Sequence, residues 1–125
     1  MIQALLERMP WLKIPLLAIL IFLIDIPWLY TISGWTDSMI RNIQGSPLQM
    51  KIWPALVVYL ALAYLATIPR SHLEAFLMGS SIYAVYDFTN LATLKNYQLP
   101  FAIADSLWGG ILFLIVSYIK TYIKF

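Results

Sequence analysis

Three aspartates, Asp25, Asp87 and Asp105, stand inside long apolar runs, and none of the eight lysines and arginines lies well inside any of these runs. A charged side chain at mid-bilayer costs at least about 2.5–3.5 kcal/mol on insertion scales, so three unpaired acids in apolar surroundings call for a reason. The types of their neighbours give one. Ser80, Tyr83, Asp87 and Asn90 follow 3-4-3 spacing, which puts them on one face of a helix. Asp25 is followed three residues on by Trp28, and Asp105 likewise by Trp108. An indole at that spacing can lie beside its own carboxylate and donate its N–H. A carboxyl group beside another carboxylate holds its proton more tightly, so at least one of the three acids is expected to be protonated at neutral pH.

Acids of this kind suit three chemistries. They can bind and pass protons or cations, as intramembrane acids without basic partners do. They can fix helix packing as buried, hydrogen-bonded groups. With Asn90, they can also offer oxygen ligands to a hard cation such as Mg²⁺ in a membrane enzyme. The enzyme reading is the least equipped, because the apolar runs contain no histidine and no basic group to hold a phosphate. A retinal-type chromophore is disfavoured by the lack of a lysine there, and no pattern points to any other cofactor. The chain has no cysteine, which removes thiol chemistry and cysteine metal sites.

The elements that must position these groups follow from hydropathy. Of 125 residues, 62% are hydrophobic and 11% charged, with mean hydropathy +0.79, against about 25% charged in a soluble domain. Lipid is the expected solvent for most of the chain. Four apolar runs, at about 14–32, 52–68, 73–94 and 100–119, each approach the roughly 20 helical residues that cross a bilayer core. The expected fold is therefore all-α: a single domain of four transmembrane helices. The basic residues near the first run precede no small-residue cleavage site, which reads as an uncleaved span.

Gly34 is expected to close the first helix, and Pro27 to kink it by freeing the carbonyl of Leu23. The stretch after Gly34 reads either as an irregular loop lying on the headgroups or as a short interfacial helix capped by Thr36 or Asp37, with Met39, Ile40 and Ile43 on its apolar face and Gly45 and Pro47 at its end. Trp53 and Tyr97 read as interfacial belt residues, and His72 as a wet group at a helix end. Ala75, Gly79, Ser106, Gly109 and Gly110 read as close-packing positions. Arg8, Lys13, Arg70, Lys120 and Lys124 lie on one side, against Arg41, Lys51 and Lys95 on the other. The majority side is expected to be cytoplasmic, with both termini there. At helical rise the three acids then fall roughly 8–14 Å below the outer surface, in one leaflet.

The motifs also carry a resemblance. Tyr86–Lys95, Y-D-F-T-N-L-A-T-L-K, resembles the Y-D-x-T-N-L-A-T-L-K signature of the membrane proteins catalogued as domain of unknown function 2177. Asp25, Trp28 and Leu29 match that family's D-x-x-W-L. Asp105, Trp108 and Gly109 match its D-x-x-W-G, and Tyr59 matches a second-span tyrosine, with Val58 where the family has Phe. The resemblance implies a four-helix integral membrane protein and no particular activity. Taken together, the residues favour a small channel or transporter for protons or cations, with Asp25, Asp87, Asn90, Asp105, Tyr83, Trp28 and Trp108 as its binding groups. The alternatives are an assembly protein and, third, an enzyme. Four helices are thin for a complete pathway, so a homo-oligomer in the bilayer is expected. A small molecule or ion is the expected ligand, and the net charge of +2 gives no ground for nucleic acid.

Overall fold

The computed structural model describes all 125 residues; the fold is all-α, with no strand, and short links join its helices. A short α1 (Ile2–Arg8) and a single 3₁₀ turn (Pro10–Leu12) lead into α2 (Lys13–Gln44), followed by α3 (Ile52–Ala66), α4 (His72–Thr93) and α5 (Leu99–Ile123). Two segments, Pro10–Gln44 and Leu99–Ile123, are long and apolar enough to cross a membrane, and α3 is a shorter apolar helix.

The first helix departs from expectation. Gly34 does not close it, and no separate interfacial helix follows: α2 is one helix of 32 residues. A glycine inside a helix costs only about 1 kcal/mol. Continuing the helix carries Met39, with Ile43 beside it, into a second small core with Ile32, Tyr97, Phe101 and Ala102, and that burial outweighs the glycine. Thr36 caps nothing; its Oγ is buried without a partner. Asp37 instead accepts from Arg41 Nε one turn on, at 2.8 Å, and from the Leu48 N–H at 3.3 Å. Helix α2 also continues through Pro27, and Thr31 Oγ1 donates to the Pro27 carbonyl at 2.7 Å. The helix stops at Gly45, whose φ of 76° is the left-handed cap geometry that favours glycine.

The start of α4 is set by Ser71, whose Oγ accepts from the Glu74 N–H at 3.1 Å, while Glu74 Oε2 accepts from the Arg70 N–H at 2.7 Å. This is a close variant of the capping box. The C-terminal carbonyl of α3, on Ala66, accepts from Lys120 Nζ at 2.7 Å. His72 Nδ1 pairs with Ser117 Oγ at 2.7 Å and its ring stacks on Tyr118 at 3.8 Å, so it is more tightly held than a solvated surface histidine.

Helices α4 and α5 pack closest, through glycines. A Cβ on Gly79 would lie 2.7 Å from Phe113 Cβ, and one on Gly109 would lie 2.6 Å from the Gly79 carbonyl oxygen and closer still to the Tyr83 ring. Only glycine permits this approach, which is the small-residue packing of membrane helices. The main core, around Leu17, Ile21, Ala63, Leu112 and Phe113, ties α2, α3 and α5 together.

Candidate functional site

An antiparallel register between α2 and α5 brings Asp25 and Asp105 together, and the packing of α4 on α5 adds Asp87. Trp35 Nε1 donates to Gln98 Oε1 at 2.7 Å, Trp28 Nε1 to Asp105 Oδ1 at 3.0 Å, and Trp108 Nε1 to Asp25 Oδ1 at 2.7 Å. The pairs run forward along one helix and backward along the other. The two D-x-x-W motifs therefore exchange partners: each indole serves the opposite helix's aspartate, not its own. Between the two bonds the indoles stack, with ring centroids 5.3 Å apart and planes 12° apart. Turning across instead of back adds that stacking to the hydrogen bond, a gain of about 0.5–1.5 kcal/mol over area burial.

Asp25 is saturated. Its second oxygen accepts from the Tyr59 hydroxyl of α3 at 2.5 Å, and only 4% of the residue is exposed. Tyr59 itself meets Phe22 edge-on at 5.2 Å.

Asp87 is fully buried, at 0% exposure. Its Oδ1 accepts from the Tyr97 hydroxyl at 2.7 Å, whereas Oδ2 has no hydrogen-bond partner. The Asp105 carboxyl and the Ser106 hydroxyl both lie within reach of Asp87, but neither closes an aligned bond onto Oδ2, and Ser106 Oγ is itself unpartnered. Tyr97 is thus no belt residue. The five-residue link between α4 and α5 folds it back over Asp87, where it is 8% exposed and packs edge-on against Phe101 at 5.8 Å. Burial, reinforced by its bond to Asp87, makes the Tyr97 hydroxyl harder to ionise than an ordinary phenol. Trp53, by contrast, is 70% exposed, as a belt residue would be.

Asn90 makes no aligned side-chain hydrogen bond but lies beside the Tyr97 hydroxyl. Tyr83 packs its ring on Gly109, facing Asp25, Asp105 and Asp87, and donates to none of them. All seven sequence-selected residues therefore belong to one polar seam, with Tyr83 and Asn90 at its margin. Reading residue types along single helices missed Tyr97 and Ser106 as members, and reached Tyr59 only through its resemblance to the family pattern. The shortness of the link after Asp87 was the available signal for Tyr97. No three acidic or imidazole side chains lie close enough to hold one metal ion; the seam is a string of carboxyls with neutral donors.

Residues 11–122 match the family described as predicted membrane protein (DUF2177). The chain belongs to this family. It is a membrane protein, and the DUF2177 match extends from the 3₁₀ turn before α2 to the last turn of α5, so it includes every residue of the seam. No curated protein and no solved structure matches the chain.

Proposed function

We propose that this DUF2177 protein crosses the bilayer four times, through α2, α3, α4 and α5, with both termini cytoplasmic, and that the Asp25–Asp105–Asp87 seam binds and passes protons. The observation that carries the proton reading is the bare Oδ2 of Asp87, fully buried and within reach of a second carboxyl. A buried carboxylate oxygen facing another carboxyl is satisfied when one proton bridges the pair. The neutral Trp and Tyr donors around it supply no compensating charge. A monovalent cation could bridge the pair too, but the donor set offers no cage for one. Four helices make a thin pathway, and a homo-oligomer completes it.

Asp87→Asn keeps the shape and the bond from Tyr97 while removing the titrating group. The variant is expected to fold and insert normally, yet to lose pH-gradient-driven proton flux in proteoliposomes loaded with a pH-sensitive dye. Infrared spectra of the wild type should show a carboxylic-acid C=O band that Asp87→Asn removes. Flux equal to the wild type, with no such band lost, would leave the proton reading without support.

A second reading is favoured by the saturation of Asp25: the seam fixes helix register in an assembly protein, and the protons do not move. The flux measurement separates the two. The topology has its own check. A reporter active only in the cytoplasm, fused after Phe125, should be active, because five of the eight basic residues flank that side. A silent but stably expressed fusion would reverse the orientation.

A further inference from the structure

The opposite end of the bundle carries a cluster that the seam does not use. A cavity of about 460 Å³ opens between the N-terminus of α4 and the C-terminal turns of α5, lined by Arg70, Ser71, His72, Ser117, Lys120 and Thr121 among others. A smaller neighbour of about 260 Å³ is lined by Lys13 and Lys124 and shares Phe125 with it. Lys13 lies close enough to Lys120 for their charges to repel.

The acids nearby are Glu7, in the smaller cavity, and Glu74, which is occupied by the Arg70 backbone N–H. The one ion pair of the molecule, Arg41 with Asp37, lies on α2 at the far end. None of these four cations is neutralised by a carboxylate. Lys120 spends one of its three donors on Ala66 and keeps two. His72 commits Nδ1 to Ser117 and leaves Nε2 free. At the start of α4 the Glu74 N–H is taken by Ser71 Oγ, and the His72 and Leu73 N–H groups have no carbonyl to bind and favour negative charge. Two tyrosines, of the kind enriched at membrane–water interfaces, stand at this end: Tyr118 stacks on His72, and Tyr122 is 89% exposed.

We propose that this basic cavity is a binding site for a phosphate-bearing anion, either the headgroup of an anionic phospholipid or free phosphate. Arg70 supplies the fork that phosphate oxygens fit. Lys120 supplies a point charge, and the hydroxyls of Ser71 and Thr121 supply further donors. A basic pocket between helices at the membrane surface has the chemistry of a lipid-headgroup site.

The full chain in nonionic detergent is titrated with phosphatidylglycerol, phosphatidylcholine and inorganic phosphate, and occupancy is read by native mass spectrometry and thermal shift. Phosphatidylglycerol is expected to bind more tightly than phosphatidylcholine. In R70Q/K120Q its dissociation constant should rise roughly thirty-fold, from about one charge-contact's worth of affinity lost at each position. Lys120→Gln keeps a donor for the Ala66 carbonyl. Should the double variant fail to fold, R70Q alone, changed at an exposed side chain, is expected to weaken binding roughly fivefold. Protection by inorganic phosphate at matching occupancy assigns the site to free phosphate, and its absence assigns it to the lipid headgroup. No preference for phosphatidylglycerol together with no protection by phosphate overturns the proposal, as does affinity unchanged in R70Q.

Discussion

Gly109→Val is expected to abolish the native packing of α4 against α5. Even the first carbon of a side chain at Gly109 falls 2.6 Å from the Gly79 carbonyl oxygen and inside the Tyr83 ring's contact distance. Backbone cannot swing aside as a side-chain tip can, so the two helices must separate and expose Phe113 and the carboxyl seam. The cost should reach about 3 kcal/mol, the upper end for overpacking. Unfolding in mixed micelles of increasing denaturing detergent measures it. Gly34→Ala is the internal control: it lies in α2 with nothing within 4 Å of the new carbon, and should stabilise by about 0.5–1 kcal/mol through the lost backbone entropy of glycine. Equal stability of Gly109→Val and the wild type would mean that the helices do not meet through these glycines.

The largest effect within the seam should come from Asp25→Leu, and it should be partly repaired by further deletions. Leucine leaves the Trp108 N–H and the Tyr59 hydroxyl without their acceptor, at about 1–3 kcal/mol for each buried donor. The triple change Asp25→Leu, Tyr59→Phe, Trp108→Phe removes both orphaned donors, so it is expected to be more stable than Asp25→Leu alone despite two extra substitutions. Non-additivity of this sign is what a closed hydrogen-bond network predicts. A triple variant less stable than the single one would show that the indole and phenol contribute through packing and not through the carboxylate.

These contrasts indicate how far residue types go. The apolar runs, the helical fold and the three acids were legible because hydropathy and helical spacing are local properties. Gly34 misled because glycine only weakens a helix, and the contacts of Met39 that override it are made with residues some sixty positions away in the chain. The partners of Trp28 and Trp108 were equally hidden. Spacing places each indole on the face of its own aspartate, and only the antiparallel neighbour decides that it turns across. Tyr97 was assigned by residue type and position near a helix end, where an interfacial anchor and a lid on Asp87 look alike. The glycine contacts were half visible: Gly79, Gly109 and Gly110 were recognisable as small residues, but which backbone each would touch depends on the crossing.

The unequal lengths of α2 and α3 have a consequence for the surrounding lipid. Helix α2 has 32 residues and α3 has 15, or roughly 48 Å and 22 Å at helical rise, against a hydrocarbon core of about 30 Å. In the four-span topology proposed above, α2 reaches well past the acyl chains, while α3 falls short of their thickness. In that topology, thinning of the bilayer along the α3 flank would give the protein a lopsided collar of strained lipid. Such collars attract one another, because merging two of them shortens the boundary of strained membrane. Self-association should accordingly be strongest in long-chain lipids, be driven by the membrane as much as by any protein contact, and join copies along α3. Crosslinking yields that stay flat across a series of acyl-chain lengths would rule this out.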